Sequence, residues 1–294
     1  MPPERTATTR IAIVGGGLSG SLLLLQLLRL RGPLLELVLY EKRATQFCRG
    51  VAYSSQLPYQ LLNVPVKDMS LFGDRPSHFH DWLRQQGIAA QPDDFVARRH
   101  FGDYVQATVS EALLTEDLHS VTLVTAEVND IVPQVDGLRV EAGGLPARIV
   151  DKVFLCTGNF PPAELPGLMP GVRMSGRYID APWDGSYLAK VGAHDTVLIA
   201  GTGLSMVDQA MSLLQQSAFH GQVIALSRHG LLPLAHGPLK SYSRSTAPDF
   251  AALSLRELYR WFISELQRAQ QEGSDFRGVF DRLRPELPLI WQGL

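Results

Sequence analysis

Gly15, Gly17 and Gly20 stand in the spacing G-x-G-x-x-G, and an acid, Glu41, follows on the far side of a leucine-rich stretch. This set of residue types breaks no bonds; it is suited to hold a dinucleotide. Gly15 allows a tight turn, Gly17 lets a pyrophosphate approach bare backbone, and Gly20 lets a helix pack close to a strand. Leu18 and Ser19 lie between them, where a helix N-terminus offers free N–H groups and a positive dipole end to phosphates. The Glu41 carboxylate can accept hydrogen bonds from a ribose diol. A second turn, Gly201-Thr202-Gly203-Leu204-Ser205-Met206, repeats the pattern with Met206 in place of the third glycine. A bulky third residue holds the helix away from the strand. Where an acid would close the next strand, Arg228 stands with His229 beside it. A cation there suits a 2′-phosphate, hence NADP over NAD. Gly201, Gly203, Ser205 and Arg228 are the candidate residues of this second site. The plain alternatives are a glycine-rich turn that binds nothing and a structural βαβ unit with Arg228 solvated.

Strands and helices must position these residues. Residues 11–14 read as a strand, 22–30 as a buried helix and 37–41 as a second strand, which makes one βαβ unit. Residues 42–77 hold Gly50, Pro58, Pro65, Gly73 and Pro76 and read as loops and short pieces. Ser77 reads as the N-cap of a helix over 78–86, and 101–114 as an amphipathic helix. Strands are expected at 121–124, 126–128, 137–141 and 147–150, and a buried one at 153–156. The proline-rich stretch 161–170 marks a domain edge. A second strand–turn–helix–strand follows at 196–226, and two helices, 255–272 and 275–283, lie near the end.

The 294 residues suit one large or two medium domains, and 45% apolar residues suffice for a core. A net charge of −2 favours neither nucleic acid nor an anionic membrane. Residues 1–10 are polar and show no signal peptide. The apolar stretch 22–30 carries Gln26 and Arg29 and is too short to span a bilayer. The two cysteines, Cys48 and Cys156, form no C-x-x-C and no zinc spacing, which suits a reducing cytoplasm. Cys48 reads as a packed thiol and Cys156 as core. His78 and His80 alternate without a third ligand, so no metal is expected.

The chain resembles the bacterial FAD/NAD(P)-binding proteins that share the two-dinucleotide-binding-domain flavoprotein fold, distant relatives of the flavin N-hydroxylating and Baeyer–Villiger monooxygenases. The resemblance rests on the first glycine turn with Glu41, on Gly50-Val51-Ala52-Tyr53, Leu61-Leu62-Asn63-Val64-Pro65, Met69-Ser70 and Phe79-x-x-Trp82-Leu83. It continues through Arg99-x-Phe101-Gly102-x-Tyr104, Phe154-Leu155-Cys156-Thr157-Gly158, the second glycine turn as far as Asp208, and Ser227-Arg228-His229-Gly230-Leu231-Leu232-Pro233. It implies an α/β protein. A Rossmann-like FAD-binding domain (1–165) would carry a second, inserted NAD(P)-binding Rossmann-like domain (166–250), with a helical tail (251–294). It further implies that Gly15, Gly17, Ser19 and Gly20 hold the FAD pyrophosphate and Glu41 the adenosine ribose. Lys42 would lie along the adenosine, and Val128 would touch adenine through its backbone. Thr157 and Gly158 would pass close to the pyrophosphate and ribitol, and Asn63 and Met69 would approach the isoalloxazine. Asn63 has a turn-shaping role as its alternative, and Met69 a packing role. Tyr53, Tyr104 and His236 are candidates to line a substrate pocket. No spacing singles out a catalytic acid or base.

Proteins of this architecture return to the first domain with a strand and a Gly-Asp beside the ribityl chain. Nothing after Arg228 reads as that strand, which raises the expectation of a truncated chain or one part of an assembly. The expected activity is that of an FAD-dependent oxidoreductase. NAD(P)H would reduce the flavin, which would pass electrons to oxygen or a small organic acceptor, as a monooxygenase or a reductase. The alternative is a non-catalytic or incomplete FAD-binding module that needs a partner or a missing C-terminal segment. The expected partners are a small-molecule substrate, with no nucleic acid and no membrane; a homo-oligomer or a partner chain is left open.

Overall fold

A computed structural model of the chain describes residues 8–160, 162–235, 237, 240, 242–243 and 247–293. These fall into two compact units that meet in sequence at Leu232 and Pro233. The first begins with β1 (Thr9–Val14), α1 (Leu18–Leu28) and β2 (Leu35–Glu41), then runs through α2 (Gly50–Tyr53), α3 (His78–Gln85) and α4 (Arg98–Thr115). Strands β3 (Ser120–Thr125), β4 (Val128–Gln134), β5 (Gly137–Ala142), β6 (Arg148–Val150) and β7 (Lys152–Leu155) follow. After α5 (Pro170–Met174) come β8 (Thr196–Ala200), α6 (Leu204–Leu214) and β9 (Gln222–Leu226). The second unit holds α7 (Leu255–Gln271), α8 (Phe276–Leu283) and α9 (Leu287–Gly293).

The main sheet has the order β3-β2-β1-β7, and its pairs are parallel. Its two central strands are apolar on both faces, as a sheet covered on both sides requires. Ile11, Ile13, Leu37 and Leu39 point to one face, where α1, α3 and α4 supply Leu24, Phe79, Tyr104 and Val105. Ala12, Val38 and Tyr40 point to the other, against Val140, Ala142 and Val150 of the antiparallel sheet β4-β5-β6. Strands β8 and β9 pair in parallel as a sheet of their own. In the second unit Tyr242, Ala269, Val279, Leu283 and Ile290 form a small core. Ser254 and Glu257 close a capping box on α7, and Asp275 caps α8. Among the described residues no helix is long and apolar enough to cross a membrane.

Three expectations need correction. The run 153–156 is not a buried strand. As β7 it is an edge strand, with Phe154 38% and Leu155 66% exposed, and its apolar content is what made it read as core. Cys156 lies just beyond the strand end and is half-buried. The strand expected at 126–128 starts at Val128 and runs on to Gln134. The Glu127 carbonyl is taken by the Gly143 N–H, and Pro133 disguises the continuation. Ser77 occupies the N-cap of α3 as expected, and its hydroxyl donates to the Asp81 carboxylate (2.8 Å).

Candidate functional site

The first glycine turn sits where three strands end. The Gly15 N–H donates to the Tyr40 carbonyl (2.9 Å) and the Cys156 N–H to the Val14 carbonyl (2.7 Å). Gly15 has φ +106°, and a Cβ there would overlap the Cys156 carbonyl. A Cβ on Gly20 would overlap the Gly15 carbonyl, so α1 packs against the turn only with glycine at that position. Gly17 is the N-cap of α1 and brings no side-chain acceptor, and the first turn carries no acid. The first N–H groups of a helix have no acceptor within it. Those of α1 are therefore left for a phosphate, with the positive end of the helix dipole behind them.

Glu41, 7% exposed, braces this turn. Its Oε2 accepts the Gly16 N–H (3.0 Å) and its Oε1 the Arg43 N–H (3.1 Å). Each carboxylate oxygen keeps a lone pair for a further donor. Lys42 is exposed and lies 3.7 Å from Glu127, one residue before Val128, which opens β4 opposite Ala142. Thr157 and Gly158, both exposed, leave β7 beside Gly15, where a Cβ would lie 3.3 Å from the Thr157 nitrogen. The fold thus gathers Gly15, Gly17, Gly20, Glu41 and Thr157 at the C-terminal edge of the parallel sheet, where open α/β sheets bind ligands. Asn63 and Met69 sit on a separate support. The segment is tied to the chain before α4 by Leu62 N–H to Val96 O (2.8 Å) and Val66 N–H to Asp94 O (3.0 Å). Asn63 is exposed, and Met69 packs on the core.

Sequence reasoning assigned no role to the strap Cys48-Arg49-Gly50, which crosses the turn. The Cys48 N–H donates to the Gly16 carbonyl (2.7 Å), and a Cβ on Gly17 would come within 3.2 Å of the Gly50 Cα. Cys48 holds a left-handed φ of +65°, the one non-glycine residue to do so among those described. Burial pushes its thiol up, away from reactivity. Arg49 is clamped by Asp103 (2.5 Å) and Gln106 (2.8 Å), while its Nη1 is buried without a partner. Gln60 Nε2 and Arg99 Nε are also buried donors without a partner. Orphaned donors of this kind call for acceptors. The open helix N-terminus, the glycine cradle and the buried Glu41 carboxylate fit a dinucleotide that brings phosphate and a ribose diol. Gly50-Val51-Ala52-Tyr53 is part of the family resemblance, but the approach of Gly50 to Gly17 arises only in the folded chain.

Tyr104 does not line a pocket. It is fully buried among Phe79, Trp82 and Phe101, with its hydroxyl between the Leu71 N–H (3.3 Å) and His78 Nδ1 (2.7 Å). The helical spacing of 101 and 104 turns both inward onto the sheet. Tyr53 is half-buried against Phe101, and burial pushes its hydroxyl up. His236 lies outside the described residues.

The second turn shares the backbone plan. Gly201 has φ +117° and donates to the Leu226 carbonyl (2.7 Å), and Gly203 is the N-cap of α6. The Thr202 hydroxyl donates to the Leu231 carbonyl (2.6 Å) and shares a hydrogen bond with the Ser227 hydroxyl (2.8 Å). That holds the segment carrying Arg228 beside the turn. Gly203, Ser205 and Arg228 are all exposed.

Residues 12–160 match the family model described as FAD-NAD(P)-binding, a range that contains the first turn, Glu41, the strap and Thr157. No curated protein matches the chain. Among solved structures, the Kutzneria sp. 744 ornithine N-hydroxylase, determined with reduced FAD, NADP+ and L-ornithine, superposes with a TM-score of 0.57 at 18% identity. The match covers 95% of this chain and 68% of that one. A mutant flavin monooxygenase from Stenotrophomonas maltophilia gives 0.50 at 19% identity over 75% of this chain and 58% of that one. A closed cyclohexanone monooxygenase gives 0.50 at 15% over 91% and 44%. The matched part of this chain thus spans little more than half of the Stenotrophomonas enzyme and less than half of the cyclohexanone monooxygenase. At such identities the likeness is one of fold: a mixed α/β architecture with the parallel sheet of Rossmann-like flavoproteins.

Proposed function

The chain belongs to the FAD-NAD(P)-binding family, and from that premise we propose that it is an FAD-dependent oxidoreductase whose flavin is reduced by NADPH. One observation carries the reading. An uncapped helix N-terminus, a glycine cradle and a buried carboxylate meet at the C-terminal edge of a parallel sheet. In this reading residues 1–165 carry the flavin, and the β8–α6–β9 stretch within 166–250 carries the nicotinamide.

Bound FAD would supply a two-electron acceptor for a hydride. The N–H groups of Leu18, Ser19 and Gly20 would hold its pyrophosphate, Glu41 its adenosine ribose, and Lys42 and the Val128 backbone its adenine end. Thr157 and Gly158 would border the ribitol, and Asn63 and Met69 the ring. Gly201, Gly203 and Ser205 would hold the nicotinamide nucleotide, with Arg228 on its 2′-phosphate. The likeness to a flavin monooxygenase and a cyclohexanone monooxygenase supports oxygen as the electron acceptor over a small organic one. Met206, in place of a third glycine, favours a second reading in which the chain binds FAD but not NADPH.

The test is an absorption spectrum of the purified protein, then anaerobic addition of each nicotinamide nucleotide. The protein is expected to hold FAD and to bleach with NADPH at least about tenfold faster than with NADH, the scale of one exposed charge-assisted contact. Arg228→Ala should erase that preference. A protein that stays colourless with excess FAD overturns the proposal. Equal response to both nucleotides removes the role of Arg228. Flavin binding with no response to either favours the second reading.

A further inference from the structure

Among the described residues, an ion pair joins the stretches that carry the two glycine turns, both within the first compact unit. Arg98 Nη2 lies 2.8 Å from Asp208 Oδ2, with side chains only 25% and 15% exposed. Arg10–Asp151 and Lys42–Glu127 are more open, at 37%/37% and 53%/64%, and pairs of that kind hold little. Arg98 begins α4, and its Nε donates to the Leu61 carbonyl (2.9 Å) while its N–H donates to the Gln60 carbonyl (2.8 Å). Leu61 also bridges to Ala97. One guanidinium therefore grips the start of the segment that carries Asn63 and Met69, and α6 as well.

Asp208 lies in α6 beyond the N-terminus formed by the second glycine turn. Its neighbour Gln209 is held too, by the hydroxyl of buried Tyr187 (2.8 Å). Burial pushes the Tyr187 hydroxyl up to about 12, so it stays a donor. Strands β8 and β9 form a sheet of two, so side-chain contacts matter more for fixing α6 than they would in a wide sheet.

We propose that the Arg98–Asp208 ion pair is a strut that fixes α6 and the second glycine turn against the segment carrying Asn63 and Met69. Arg98 and Asp208 are then positioning residues: they touch neither nucleotide, and they set the spacing between the two binding ends. The functional half rests on the reading that the one end faces nicotinamide and the other flavin. The mechanical half does not.

The experiment is hydrogen exchange on the full chain, with flavin reduction measured on the same samples. Asp208→Ala should speed exchange of the Leu62 and Arg98 amides by about tenfold, although their acceptors are Val96 and Gln60 and not residue 208. Asp208→Asn, which keeps the shape and removes the charge, gives the same reading should the alanine variant fail to fold. NADPH should reduce the Asp208→Asn flavin at least about tenfold more slowly than wild type, while the flavin-to-protein ratio and reduction by dithionite stay unchanged. Unchanged exchange at Leu62 and Arg98 in the Asp208 variants overturns the strut. A wild-type protein that ignores NADPH overturns the proposed function, and the exchange result still decides the strut.

Discussion

Gly17→Val is expected to leave a folded protein that no longer keeps FAD. A Cβ at this position lies 3.2 Å from the Gly50 Cα, so the Cys48–Gly50 strap must give by a few tenths of an ångström even for alanine. The two γ-methyl groups of valine then fill the space over the first N–H groups of α1. The helix itself is only slightly weakened, since the change from glycine to valine at an N-cap costs about 1 kcal/mol. Loss of phosphate contacts should weaken FAD binding by about 100-fold or more, close to 3 kcal/mol. Gly17→Ala should fall between, whereas Gly20→Val should not fold, because its Cβ overlaps the Gly15 carbonyl with no room to move. The measurement is the flavin-to-protein ratio after desalting, beside a thermal melt. A valine variant that retains FAD like wild type would refute the assignment of the pyrophosphate to this turn.

Glu41→Ala is expected to cost stability as well as flavin. The carboxylate is the acceptor for the N–H groups of Gly16 and Arg43, and Glu41 is 7% exposed. Orphaning the buried Gly16 N–H costs about 1–3 kcal/mol, whereas the N–H of exposed Arg43 can turn to water. For a unit of this size that is a fall in Tm of about 2–12 °C. Glu41→Gln keeps one acceptor oxygen and turns an NH2 toward the other N–H, so it should land about midway. FAD should protect wild type against melting and protect the alanine variant far less. If Glu41→Ala melts with wild type, the carboxylate does not brace the turn, and its place at the ribose is the only role left to it.

The legible part of the molecule was local. The apolar run 11–14, the glycine spacing 15–20 and the acid at 41 lie within one βαβ unit, where period and spacing act over a few turns of chain. That unit folds as the sequence implies, and the helices expected at 255–272 and 275–283 are found at Leu255–Gln271 and Phe276–Leu283. The edge position of β7 was not visible. A run such as Val153-Phe154-Leu155-Cys156 is equally apolar at a sheet centre and at a sheet edge, and only the pairing decides which side chains meet solvent.

The sequence by itself determined a parallel α/β chain with two glycine turns, a carboxylate after the first and a cation after the second. Those follow from residue type and short-range spacing, which constrain backbone geometry directly. The tertiary structure decided what surrounds the turns. It laid Cys48-Arg49-Gly50 across Gly17, put Tyr104 in the core instead of a pocket, and brought Arg98 to Asp208. Each of these joins segments whose approach depends on how helices and strands pack. No spacing along the chain encodes a contact that the loops between leave free, and the hydrophobic core closes it only when the whole sheet is covered.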